Sequence, residues 1–76
     1  MHEYFSYTKD MNIGETIKIL RIEKGMTQTE LASLLFTSQD TISLWERNKS
    51  LPDVKSVVKM ASIFNVSTDY ILGVEK

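Results

Sequence analysis

The sequence predicts an all-α fold of five short helices, on three observations. Apolar residues recur at spacings of three and four through most of the chain. Residues that start or stop helices bracket each of those runs. No segment alternates apolar and polar residues with the period of two that a half-buried strand requires. At 76 residues and 42% hydrophobic content the chain holds one domain with one small core. The first twelve residues read as an N-terminal arm, residues 13–73 as the folded domain and residues 74–76 as a tail.

In the first run Ile13, Ile17, Leu20 and Lys24 share a helical spacing, and Gly25 follows as a residue able to take positive φ. This predicts a helix over Ile13–Lys24. Thr27-Gln28-Thr29-Glu30 is a capping box, in which the Thr hydroxyl serves free N–H groups and Glu30 reaches back. A second helix, Gln28–Leu35, then turns Leu31, Ala32 and Leu35 inward. Phe36-Thr37 has room only for a tight turn. Ser38 caps a third helix, Gln39–Arg47, with Ile42 and Trp45 on its inner side. Asn48 tolerates a left-handed conformation and ends it. After the loop Leu51-Pro52, Asp53 caps a fourth helix that runs to Phe64 with Val57, Met60, Ala61 and Phe64 buried. Ser67 caps a last short helix through Tyr70, Ile71 and Leu72, stopped by Gly73.

Composition narrows the function. The chain has no cysteine and one histidine, His2, so neither disulfides nor a metal site is expected. No Ser/His/Asp or Cys/His set and no glycine-rich phosphate loop is present, so we expect no enzyme, no cofactor and no small-molecule ligand. The opening Met-His-Glu-Tyr-Phe lacks the pattern of a signal peptide, and no stretch approaches the ~20 apolar residues that cross a bilayer. A soluble, cytoplasmic protein without a membrane partner is the expectation. The net charge of −1 weakens non-specific attraction to phosphate. Yet Lys18, Arg21, Lys24, Arg47, Lys49, Lys55 and Lys59 all fall inside the predicted domain, and placement decides whether a surface can meet a backbone.

Two short helices joined by so brief a turn form a supersecondary unit that can deliver its second helix to the major groove, about 12 Å wide. The preceding helix then crosses the backbone with its N-terminal amides toward a phosphate. Gln39, Asp40, Ser43, Leu44 and Arg47 lie outside the Ile42/Trp45 stripe and compose the outward face.

The wording of the chain adds to this. Ile17-Lys-Ile-Leu-Arg-Ile-Glu-Lys-Gly25, Thr27-Gln-Thr-Glu-Leu-Ala32, Ser38-Gln-Asp-Thr-Ile-Ser-Leu-Trp-Glu46, Leu51-Pro52 before Met60-Ala61, and Val66-Ser67-Thr-Asp-Tyr-Ile-Leu72 occur in that order. Together they cover about three quarters of the chain, which resembles the Cro and phage-repressor type of helix-turn-helix domain, the XRE family. The resemblance implies a lambda-repressor-like fold with the helix-turn-helix formed by helices 2 and 3. It also implies that Gln28 contacts a phosphate and braces the third helix, and that Gln39, Asp40 and Leu44 reach bases. Thr41 and Ser43 would lie near the backbone, Arg47 and Lys49 near phosphates, with Ser38 as the cap. Arg21 would pair with Glu46. The implied function is a sequence-specific transcriptional regulator, a repressor binding double-stranded DNA at a palindromic operator as a homodimer.

The chain departs from that pattern in places. Phe36 stands where the family's turn usually holds Gly, so either the turn differs locally or Phe36 packs against a neighbour. Asp40 and Leu44 make the outward face less attractive to DNA, which keeps open a second reading as a protein-interaction module, an antitoxin-like or anti-repressor partner. Ile19 and Ile22 lie opposite the core stripe of the first helix. They await either the arm, with Tyr4, Phe5 and Tyr7, or another subunit. Tyr70, Ile71 and Val74 form a second candidate dimer surface.

Overall fold

In the computed structural model, which describes residues 12–74, the chain forms five α-helices and, among the described residues, no strand. They are α1 (Ile13–Glu23), α2 (Gln28–Leu34), α3 (Gln39–Glu46), α4 (Val54–Phe64) and α5 (Thr68–Leu72). Lys24, Leu35 and Arg47, expected as last helical residues, sit in the terminating turns instead. The aromatic arm residues Tyr4, Phe5 and Tyr7 lie outside the described residues.

Every helix starts and stops in the same way. Asn12, Thr27, Ser38, Asp53 and Ser67 each accept, through a side-chain oxygen, the backbone N–H three residues on. This satisfies one of the amides that a helix start leaves without a partner. Thr27 and Glu30 complete the reciprocal capping box. At the other end one residue of positive φ follows each helix: Gly25, Phe36, Asn48, Asn65 and Gly73. In each case its N–H and the next one bond back to carbonyls of the last turn. Examples are Phe36 to Ser33 and Thr37 to Ala32, or Asn48 to Trp45 and Lys49 to Leu44. This is the paired 5→2 and 6→1 closure of a Schellman turn.

Phe36 therefore takes the left-handed conformation that suits glycine, at φ 57. The turn keeps its geometry despite the side chain, and the ring gains no core contact in return, being 86% exposed. The hydrogen bonds on both sides of the turn and the packing of α2 on α3 impose the conformation.

The five least accessible large side chains come one from each helix: Ile17, Leu31, Ile42, Met60 and Ile71. Each contributes roughly 1.5–3 kcal/mol by leaving water, so no helix can detach without opening the same core. Around them lie Ile13, Leu20, Ala32, Leu35, Trp45, Val57, Ala61 and Phe64. α3 packs on α1 and α2, while α5 packs on α4 and α1. Ile71 is thus core, and its expected place in a dimer surface is corrected. α5 is little more than one turn long, and the contacts of Ile71 with the core, not its sequence spacing, decide which side it faces. Tyr70 stays exposed and Val74 half-buried beside it. Ile19 and Ile22 are exposed on the outer side of α1.

The start of α1 is tied to the end of α3 by a contact that depends on glycine. Asn48 Oδ1 accepts the N–H of Gly14 at 3.1 Å, and Asn48 Nδ2 donates to Asn12 Oδ1 at 3.0 Å. A Cβ on Gly14 would run into the carbonyl oxygen of Trp45 and come within 2.9 Å of that of Glu46. Gly14→Ala, favourable in an open helix, is expected here to lower stability by roughly 1–3 kcal/mol through overpacking, seen as a reduced urea midpoint at unchanged slope.

Asp53 supplies a pH signature. The Ser56 hydroxyl donates to its carboxylate at 2.7 Å and holds its pKa below the usual carboxylate value. A depressed folded pKa means stability that is present above the unfolded value and lost as pH falls through the folded one. Below about pH 4 the thermal midpoint of wild type should fall more steeply than that of Asp53→Asn.

Candidate nucleic-acid interface

The orientation of α3 is set by one carboxylate. Glu46, at the end of α3, has a side chain only 3% exposed and pairs with Arg21 of α1. Arg21 Nε donates to Oε2 at 2.6 Å and Nη2 to Oε1 at 3.1 Å, a forked contact that fits guanidinium geometry. Its remaining nitrogen, Nη1, donates to the carbonyl of Met26 at 2.7 Å, so the turn after α1 joins the same assembly.

From Glu46 the network continues to α2. Gln28 Nε2 donates to Glu46 Oε1 at 2.9 Å, and Gln39 Nε2 donates to Gln28 Oε1 at 2.7 Å. Glu46 paired with Arg21 offers acceptors only, so the amide of Gln28 must turn its nitrogen toward it. The Gln28 oxygen accepts from Gln39, and the second N–H of Gln28 remains available to a further acceptor. Gln28 thereby touches both ends of α3 and bridges it to the first turn of α2. Among the described residues no buried side-chain nitrogen or oxygen lacks a hydrogen bond.

On the other side of α3 only Gln39 belongs to that network. Gln39, Asp40, Leu44 and Arg47 are exposed, and Thr41 and Ser43 are half-buried at the edges. Ser38 is committed to the cap: its hydroxyl accepts the Thr41 N–H and lies 2.9 Å from the Thr41 hydroxyl. Arg47 lies back along the helix, its Nε donating to Ser43 Oγ at 3.2 Å. Asp40 stands in the first turn of α3, where a negative charge favours the helix whatever it faces. Lys49 is exposed just past the turn at Asn48. The outward face is thus a mixed polar strip with one apolar side chain, Leu44.

The tie between Asn12, Gly14 and Asn48 has no local signal in the sequence beyond the cap itself. Asn12 followed three residues later by Glu15 is the spacing that would have marked the cap, and Asn12 Nδ2 does donate to Glu15 Oε1 at 3.0 Å.

The Arg21–Glu46 pair is buried enough to behave as a unit. Removing one partner leaves the other charge without its counterpart and costs about 3–5 kcal/mol, whereas replacing both by apolar residues of similar size costs far less. Urea unfolding of Arg21→Met, Glu46→Leu and the double variant should show the double variant more stable than Glu46→Leu alone.

A helix-turn-helix family profile matches residues 17–71. The chain is 38% identical over 63 residues to the HTH-type transcriptional regulator ImmR of Bacillus subtilis, a stretch covering 83% of this chain and 50% of that protein. The chain spans between about a third and a little over half the length of the curated relatives it matches. Among solved structures, the P22 c2 repressor in complex with a synthetic operator superposes with a TM-score of 0.77 at 27% identity, over 83% of this chain and 96% of that one. SinR, a regulator of biofilm formation solved in complex with DNA, superposes with a TM-score of 0.71 at 33% identity, over 79% of this chain and 97% of that one. With its five helices, its buried Arg21–Glu46 pair and its matched segment, the chain belongs to the helix-turn-helix family of the Cro and phage-repressor (XRE) type.

Proposed function

We propose that the chain is a sequence-specific DNA-binding transcriptional regulator that lays α3 in the major groove, and that it acts in the cytoplasm as a repressor. The observation that carries this reading is the state of Gln39. Its amide nitrogen has two hydrogens, and Gln28 takes one. One N–H and the carbonyl oxygen remain, held in a fixed plane. That pair matches the N7 acceptor and N6 donor on the major-groove edge of adenine. The network through Gln28 and Glu46 orients this amide before any DNA arrives, so little side-chain freedom is lost on binding.

The other roles follow from position. Leu44 lies against a thymine methyl, and Asp40 accepts from a cytosine amino group where phosphates are far enough away. Gln28, Arg47 and Lys49 meet phosphates and set register, with Thr41 and Ser43 at the edge of the backbone. ImmR is named as a transcriptional regulator, and the P22 c2 and SinR structures hold DNA, which supports the reading. A homodimer would place two copies of α3 one helical turn apart, roughly 34–36 Å, and so select a palindrome.

A second reading draws on Asp40 and Leu44. An acid and an aliphatic side chain on the outward face suit a protein partner, with the fold serving as an antitoxin-like or anti-repressor module.

Selection from random duplexes at two salt concentrations separates the two. The regulator reading expects an enriched palindrome, and Gln39→Ala should lose roughly 1–3 kcal/mol of discrimination at one base pair per half-site. Lys49→Glu should weaken all duplexes alike and flatten the salt dependence. Absence of any enriched sequence, together with a stable protein complex, would establish the second reading instead.

A further inference from the structure

Phe36 has no structural reason to be a phenylalanine. Its backbone occupies the left-handed region at φ 57, where a side chain is penalised, and its ring is almost wholly in solvent. Retained strain of this kind is concentrated at functional positions. The ring does have one specific neighbour: the ammonium of Lys59, on α4, lies 4.6 Å from its centroid. Phe36, Thr41, Lys55 and Lys59 line one groove between the α2–α3 turn and α4.

The place of this groove relative to α3 gives it a use. A helix with its side chains is about 10–12 Å across, close to the width of the major groove. A duplex that receives α3 therefore runs one phosphate backbone along each flank of the helix. Gln28 stands on one flank, bonded to Gln39 and Glu46. Thr41 is two residues on from Gln39, which puts it about 160° around the helix, on the opposite flank. The second flank is thus the side of α3 that carries Thr41 and opens on Lys55 and Lys59.

We propose that Lys55 and Lys59 form a second phosphate site, for the strand opposite the one that meets Gln28, with the Phe36 ring holding the Lys59 ammonium in position. The proposal rests on the DNA-binding reading above. A ring face attracts a cation through its quadrupole and still leaves the ammonium's hydrogens able to reach a phosphate oxygen. Asp53 lines the same groove, but its carboxylate is taken up by the N–H and hydroxyl of Ser56. Its charge also acts on Lys55, so Lys55 is the weaker and Lys59 the stronger phosphate contact of the pair.

The test uses the full chain and a duplex selected by the wild type. Lys59→Gln should make the slope of log K against log[salt] shallower by about 0.9 and Lys55→Gln by a smaller amount, with base preference unchanged in both. Phe36→Gly should act with opposite signs on two measurements. The thermal midpoint rises by roughly 4–8 °C as the strain is released, while affinity falls about 2- to 5-fold as Lys59 loses its support. If both lysine variants keep the wild-type slope while Lys49→Gln lowers it, the second site is overturned and the DNA-binding reading stands. If Phe36→Gly binds as tightly as wild type, the ring has no part in it. If the wild type enriches no duplex, both readings fall together.

Discussion

The buried carboxylate of Glu46 is the constraint on which the rest of the molecule turns. Its side chain is 3% exposed and paired with Arg21, and a buried carboxylate is destabilising unless it is paired and hydrogen-bonded. Three donors from two other helices meet it, two from Arg21 and one from Gln28. Those donors approach from fixed directions, so α3 can neither rotate nor slide without leaving a charge unpaired. Hydrophobic burial of Ile42 and Trp45 holds α3 to the domain, but apolar contact is non-directional. The polar network supplies direction, and it reaches through Gln28 to the one amide on the outer face, Gln39, whose plane it fixes.

Stability and orientation therefore have separate sources in this fold. Stability comes from a core to which each helix contributes one fully buried side chain, and from ten helix ends closed by local hydrogen bonds. Orientation comes from two long-range polar ties, Arg21–Glu46–Gln28 and Asn12–Asn48–Gly14. Both involve the last residues of α3 or the turn that follows it. That end is tied to α1 and α2, whereas the polar ties of the first turn are the Ser38 cap and Gln28.

What could be read in the sequence follows the same division. Caps act within three residues, so Thr27, Ser38, Asp53 and Ser67 are visible as letters, as are the stops at Gly25, Asn48 and Gly73. The core stripes of α2, α3 and α4 repeat often enough to reveal their inner faces. α5 has five residues, too few for periodicity to assign a face, so nothing in its spacing marks Ile71 as core. The partners of Asn48 lie 34 and 36 positions away, and nothing local announces them. Phe36 is the reverse case: its letter argues against the left-handed turn, and the two helices it joins overrule it. At the outer face of α3 the letters name the side chains and their direction, while the positions of charged groups on α4 relative to that face emerge only with the fold. Resemblance to a family was needed to single out Arg21 and Glu46 as a pair, since many ionic partners are open to a charged residue in a sequence.

The two-sided construction of α3 has an evolutionary consequence. Ile42, Trp45 and Glu46 bear the packing and the ionic tie, while Asp40, Leu44 and Arg47 project from the same eight-residue helix and its last turn without touching the core. Surface substitutions of that kind usually change stability by less than about 0.5 kcal/mol. The outward positions can thus drift through many combinations without crossing the threshold at which the domain unfolds. One strip of this helix can therefore change its chemistry, an acid and a leucine included, while the face that holds the fold together stays as it is.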